Sequence, residues 1–255
     1  PRAHRALAVP EKGIEGAEYA WTFLRHRIPY RTRTVVTEIL GDTAVKAVRT
    51  ARLRRDGSVV PGSTRIIPDV DAVGLGWGFT PQLELPVALG AETRVDVDGS
   101  LVAEVDAGQR STVPGLYLAG ELTGVGGAAL AVVEGAVAGR AAALAATSGT
   151  DPDPGSVPAP REARVIRRQR AFAAAMHRAH PLPRGWESRV REDTVVCRCE
   201  EVTAGAMASA RDDMRAADTR TQKGVTRAGM GWCQGRVCGV AVACLSAAGS
   251  DPDPA

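Results

Sequence analysis

The stretch VPGLYLAGELTGVGGA, positions 113–128, decides how the rest of the chain is read. A short apolar run, 116–119, leads to Gly120 and an acidic residue, Glu121. A turn rich in glycine follows, with Gly124, Gly126 and Gly127, and then a long apolar stretch of small residues, 127–146. The pattern predicts strand, turn and helix. A carboxylate at the strand's end can accept a hydrogen bond from a ribityl or ribose hydroxyl. The helix N-terminus can face a polar or anionic ligand, and glycine lets that ligand approach the backbone. The plain alternative is close strand–helix packing that needs glycine, and the residues alone leave both open. Gly124-Val-Gly-Gly-Ala-Ala129 also matches a dinucleotide fingerprint with Ala in the last place. That reading is rejected, because a Pro-rich stretch follows the helix, so no second strand completes a βαβ unit and no ribose-binding acid is placed.

Toward the N-terminus, Ala17, Trp21, Leu24 and Ile28 recur at helical spacing, which predicts an amphipathic helix over 15–27, stopped by Pro29. Strand-like runs cover 32–40, 44–53 and 64–74, with a turn signal at Asp56-Gly57. Alternation around Asp98-Gly99 over 95–105 predicts a hairpin. Toward the C-terminus, TSGTDPDPGSVPAP (147–160) has little to bury and reads as a linker. A basic helix over 161–176 follows. Its charge reads first as a solvated face and second as a docking surface for an acidic partner. His177 and His180, at its end, read as surface residues.

Composition narrows the function. The net charge of +3 is too small to imply nucleic acid. Only Lys12, Lys46 and Lys223 of the 32 basic residues are Lys, a bias of genomic composition before one of function. The first ten residues are charged and short of the apolar core of a signal peptide. Glu134 and Arg140 inside 127–146 favour a buried helix over a membrane span. The five cysteines are odd in number and clustered late, which fits reduced thiols in a cytoplasm better than a secreted disulfide framework.

Four of those cysteines form two tight pairs, Cys197-Arg-Cys199 and Cys233-Gln-Gly-Arg-Val-Cys238. Four thiolates are what a 2Fe–2S cluster needs, two per iron. Structural zinc also takes four Cys, though its pairs are usually spaced by two to four residues; on spacing alone it stays an alternative. Arg198, Lys223, Arg227 and Arg236 offer positive charge that favours thiolate. Gly229, Gly231, Gly235 and Gly239 allow backbone N–H groups close to sulfur. Thr203 is placed to cap a helix just after the first pair. Cys244 lies on an apolar run, 240–245, and reads as a buried small hydrophobe.

The segments TVVCRCEEVT (194–203) and TRAGMGWCQGRVCG (226–239) resemble the 2Fe–2S domain related to bacterioferritin-associated ferredoxin. The four-residue gap in the second pair resembles the version found at the C-terminus of FAD/NAD(P)-dependent oxidoreductases. These are the large subunits of opine oxidase, hydrogen cyanide synthase and hydroxyproline or proline dehydrogenase type. Positions 113–128 are similar to the second FAD-contacting motif of that family, and DAVGLGWGFTP (71–81) resembles the strand and loop that return its chain from the NAD(P) domain to the FAD domain.

The resemblance implies an α/β fold: a partial two-dinucleotide-domain flavoprotein over 1–146, without its N-terminal Rossmann units. A linker (147–160), a basic helical connector (161–192), a small mainly helical 2Fe–2S domain (193–248) and a disordered tail (249–255) would follow. It implies a 2Fe–2S cluster on Cys197, Cys199, Cys233 and Cys238. It implies an FAD half-site at Gly120, Glu121, Gly124, Gly126 and Gly127; NAD(P) belongs to the family, but its phosphate loop is not in this sequence. The function implied is electron transfer between FAD and the cluster in an amine or amino-acid dehydrogenase complex. The partner would be a flavoprotein dehydrogenase subunit or the missing N-terminal half, with no nucleic acid and no membrane. The alternative is a non-enzymatic, ferredoxin-like electron-transfer module.

Overall fold

A computed structural model describes residues 10–76, 78–182 and 185–247. Trp77 and the tail 249–255 lie outside the described residues. The fold is mixed α/β, and the chain divides into two compact units, Pro1–Tyr30 with Gly76–Leu182, and Arg31–Leu75 with Pro183–Ala255.

In the first unit, helix α1 spans Pro10–Arg25, starting earlier than its apolar spacing suggested. Trp21, Leu24 and Ile28, which define that spacing, are exposed. A short helix α2 (Glu84–Ala88) precedes the hairpin β4 (Thr93–Val95) and β5 (Leu101–Ala103), which closes around Gly99 at φ 85°. The strand expected at 116–119 is reduced to a bridge between Tyr117 and Arg110. Two backbone bonds hold it, Ser111 N–H to the Leu116 carbonyl and Leu118 N–H to the Gln109 carbonyl. Pro114-Gly115 before it and Gly120 after it leave too few residues for a ladder.

Helix α3 (Ala128–Ser148) begins at Gly127 and ends at Gly149 in the left-handed conformation. It is long and apolar enough by length and composition to cross a membrane. One stripe of it, Leu130, Val137, Ala138 and Ala141, is buried, while Val132 and Leu144 are exposed. The expectation of a buried helix is thus met on one side only. Helix α4 (Pro160–Ala179) packs on α3 and starts with Pro at its first position, where a missing N–H costs nothing. The stretch 147–160 is less bare than its composition suggests. Val157 packs with Val137, Ala141, Tyr117 and Ile166, and Asp151 accepts a 2.6 Å bond from the Tyr117 hydroxyl.

In the second unit, β1 (Thr34–Leu40), β2 (Ala47–Arg52) and β3 (Arg65–Pro68) form an antiparallel sheet with β2 in the centre. Val48, Thr50 and Ala51 of β2 are buried, as a central β-branched strand should be. Asp56-Gly57 makes the predicted turn, with Asp56 Oδ1 accepting the Ser58 N–H. The remainder of this unit is the hairpin β6 (Val195–Cys197) and β7 (Val202–Thr203), then helices α5 (Ala204–Met214), α6 (Thr219–Thr226) and α7 (Gly239–Ala247). Its core gathers Cys197, Val202, Met207, Ala228, Cys238 and Val242. Gln222 is buried under α5 and donates to the Met207 and Ala216 carbonyls, which ties α6 to α5. Arg189 donates to the Gly57 carbonyl at 2.8 Å, joining the cysteine segment to the sheet. The chain passes from this unit into the first between Leu75 and Gly76, within 71–81, whose described residues form no strand.

Candidate functional site

The two sequence motifs fall in different units. In the first, Glu121 opens a 3-10 turn, Glu121–Thr123, between Gly120 (φ 82°) and Gly124 (φ 130°). Both described bonds of its carboxylate use Oε1, which accepts the N–H of Gly127 at 2.8 Å and of Gly126 at 3.3 Å. The helix N-terminus therefore already holds an anion, the chain's own, and a second anion there would meet a like charge.

The four glycines divide by what stands beside them. A Cβ on Gly120 would come 3.3 Å from the Ala131 Cβ, so the plain packing explanation holds there. On Gly126 it would meet the Leu130 side chain at 2.4 Å, and on Gly124 it would meet Arg170 Nη1 at 2.7 Å and Asp96 Oδ2 at 2.8 Å. On Gly127, at φ 92°, it would meet nothing within 4 Å, and this residue is exposed.

Behind the turn is a network that sequence reasoning missed. Glu134 of α3 is 1% exposed. Its carboxylate accepts the Gly120 N–H at 3.1 Å and is forked by Arg170 of α4, Nε to Oε1 at 2.9 Å and Nη2 to Oε2 at 2.8 Å. Burial pushes the Glu134 carboxyl above its ordinary value, against the pull of the Arg170 charge and the Gly120 N–H. Arg170 also donates to the Thr123 hydroxyl at 2.6 Å and to the Gly124 carbonyl. His177 is no idle surface residue, since its Nε2 donates to the Val125 carbonyl at 3.0 Å. The available signal was the charge inside an apolar helix: a lone Glu there needs a partner, and α4 was the basic segment within reach.

In the second unit Cys197 and Cys238, one from each local pair, are buried in one core with Cys199 packed against it, and Cys233 is half-buried. Burial works against the Cys197 thiolate, but N–H groups of Gly229, Glu200 and Cys199 together with the Cys238 thiol bring its pKa below the ordinary value; the Gly229 nitrogen is 3.4 Å from Sγ. The Val237 N–H leads in lowering Cys233. Burial first, then Cys197 and the Cys233 charge, push Cys238 up to about 11. Gly231 faces Cys199 so closely that a Cβ would lie 2.2 Å from the cysteine Cβ. Glu201 (φ 54°), two residues past the first motif, and Gln234 (φ 51°), inside the second, are left-handed non-glycines, a local cost that marks a constrained backbone.

Thr203 caps α5 as predicted, its hydroxyl accepting the Ala206 N–H at 3.2 Å. Arg227 is not a free charge for the thiols; it is bonded to Glu200 at 2.7 Å. Cys244 is half-buried rather than buried and stands outside the packed cysteine core. Among the described residues, no three or more His, Cys, Asp or Glu side chains converge as a site for one metal ion.

No protein-family profile matches the chain. It is 29% identical over 249 residues to hydrogen cyanide synthase subunit HcnB of Pseudomonas aeruginosa, covering 92% of this chain and 51% of that protein. It is 34% identical over 188 residues to an opine oxidase subunit of Rhizobium meliloti, covering 70% of this chain and 38% of that protein. Its fold is similar to that of L-proline dehydrogenase from P. horikoshii, with a TM-score of 0.62 and 19% identity over 93% of this chain and 43% of that one. The chain spans about half the length, or less, of the curated relatives it matches.

Proposed function

We propose that this chain is part of an FAD-dependent oxidoreductase of amine or amino-acid dehydrogenase type, in which Cys197, Cys199, Cys233 and Cys238 hold a 2Fe–2S cluster and 120–127 contacts the flavin end of FAD. The observation that carries the reading is that Cys197 and Cys238, one from each pair, are buried in one core with Cys199 packed against it, while the Gly229 N–H stands 3.4 Å from Cys197 Sγ. A two-iron group takes two thiolates per iron and backbone N–H groups toward its sulfur, whereas zinc gathers all four thiolates around one point. The similarity to subunits of an opine oxidase and a hydrogen cyanide synthase supports the oxidoreductase class. It also favours a partner chain, for which a flavoprotein dehydrogenase is the proposed kind, and a cytoplasmic setting keeps the thiols reduced.

The donor set suits the group. N–H groups of Gly229 and Val237 face sulfur and stabilise its negative charge, and Gly231 leaves the Cys199 backbone its space. Arg198, Lys223 and Arg236 supply positive charge in the same segment. When bound, the cluster supplies a one-electron relay. In the first unit, Glu121 orients the Gly126 and Gly127 N–H groups beside the open face of Gly127.

Anaerobic purification with metal and sulfide analysis tests the reading. The protein is expected to be brown, with about two Fe and two sulfides per chain. Cys197→Ser and Cys233→Ser lose the colour, and Cys244→Ala keeps it. Stoichiometric zinc without iron overturns the assignment, and loss of the cluster in Cys244→Ala overturns the ligand set.

A further inference from the structure

We infer that Arg170 is a positioning residue for the glycine-rich turn 120–127, so that helix α4 sets the shape of the surface offered to the cofactor. The inference rests on the FAD reading above for its purpose, but its geometry stands apart from it.

The turn has little stiffness of its own. Gly120, Gly124 and Gly127 all have positive φ, at 82°, 130° and 92°, and such glycines lose the most conformational freedom on being fixed. Arg170 takes hold of this segment at two places and of α3 at a third. It donates to the Gly124 carbonyl, to the Thr123 hydroxyl at 2.6 Å, and in a fork to Glu134. Thr123 in turn donates to the Gly120 carbonyl at 2.8 Å, and Glu134 accepts the Gly120 N–H at 3.1 Å. One guanidinium thereby ties both ends of the 3-10 turn to α3.

Two turns further along α4 and on the same face, His177 donates to the Val125 carbonyl at 3.0 Å. The helix grips consecutive peptide carbonyls, 124 and 125, from one side. That leaves the Gly126 and Gly127 N–H groups to Glu121. Gly124 has its own reason here: any Cβ would strike the guanidinium at 2.7 Å. Lysine does not reproduce the arrangement, because an ammonium has no planar fork to serve a carboxylate, a hydroxyl and a carbonyl together.

The test uses the 255-residue chain as it is, unsubstituted and as Arg170→Lys, Arg170→Ala and the double variant Glu134→Leu/Arg170→Met. Amide hydrogen exchange reads local opening residue by residue. In Arg170→Lys, exchange over 120–127 is expected to rise about tenfold or more, the loss of one charged hydrogen bond, with α5 unchanged. Millimolar methylguanidinium should slow exchange again in Arg170→Ala, a rescue that general destabilisation does not show. The double variant removes the buried carboxylate together with its partner charge, so it should recover global stability while 120–127 stays fast.

The second arm is FAD titration on the same proteins supplied with a strand–GxGxxG–helix segment, where Arg170→Lys should weaken FAD about tenfold. Unchanged exchange at 120–127 in Arg170→Lys, or recovery of slow exchange in the double variant, overturns the positioning role. So does unchanged FAD affinity in Arg170→Lys when the unsubstituted protein binds FAD. Failure of the unsubstituted protein to bind FAD, with the exchange result intact, overturns instead the half-site reading.

Discussion

Gly231 shows how much a single residue type decides. The Cys199 Cβ stands 2.2 Å from where a Gly231 side chain would begin, so Gly231→Ala must move one of two backbones. Backbone shifts of this kind cost about 1–3 kcal/mol. The expected outcome is a lower urea midpoint and less iron per chain, measured on the same preparation; full iron content with unchanged stability would show that Cys199 is not held where the structure has it. The sequence marks this glycine as permissive toward sulfur. It does not show that the contact is with the cysteine's own Cβ, because thirty-odd residues separate the two positions along the chain. Arg170 and Glu134 behave in the same way, since each is ordinary on its own helix and they become a site only when α3 and α4 pack.

Among the elements, the helices of the cysteine segment are capped by side chains that the sequence displays openly. Thr203 caps α5 and Asp218 caps α6, the latter accepting the Thr221 N–H at 2.9 Å and the Thr221 hydroxyl at 2.6 Å. Thr203→Ala should lower stability by about 1 kcal/mol in chemical denaturation. Asp218 adds a pH dependence. The Thr221 hydroxyl first, then the Thr221 N–H, hold its carboxyl below the ordinary 3.8. A depressed folded pKa means that the unfolded chain binds the proton more readily. The cap therefore contributes fully above about 3.8 and is lost as pH falls through the lower folded value. An NMR titration should place the Asp218 midpoint below 3.8, and a midpoint at or above it would contradict the cap. By contrast, the strand expected at 116–119 shrank to a bridge, because apolar character says nothing about whether a neighbouring strand is long enough to pair with it.

For the whole molecule, the question is whether these 255 residues suffice for FAD. The pyrophosphate of a dinucleotide is usually held by a glycine-rich turn and a helix N-terminus in a βαβ unit. Here the glycine-rich N-terminus of α3 is occupied by Glu121. The chain alone should therefore bind FAD weakly by fluorescence quenching, and supplying a strand–GxGxxG–helix segment, fused or separate, should restore binding. In that restored protein, Glu121→Ala should cost about 1.5–3 kcal/mol of affinity, the loss of a charged hydrogen-bond acceptor. Tight stoichiometric FAD on the 255 residues by themselves would show that the pyrophosphate is held by something other than a second glycine-rich unit.

Local chemistry was determined by the sequence alone: four thiols in two tight pairs, a glycine-rich turn entering an apolar helix, the cap of α5 and the hairpin at Asp98-Gly99. Each depends on neighbours within a few positions, where spacing and backbone preference act directly. Tertiary structure decided the partners. It brought Cys197, Cys199 and Cys238 into one core, set Arg227 against Glu200, and brought Arg170 under Glu134. It also grouped the sheet of 34–68 with the cysteine segment and the turn 120–127 with α4. Those choices follow from which buried surfaces and charges can satisfy one another in space, and a buried carboxylate accepts whichever guanidinium the packing delivers, however far away in the chain it began.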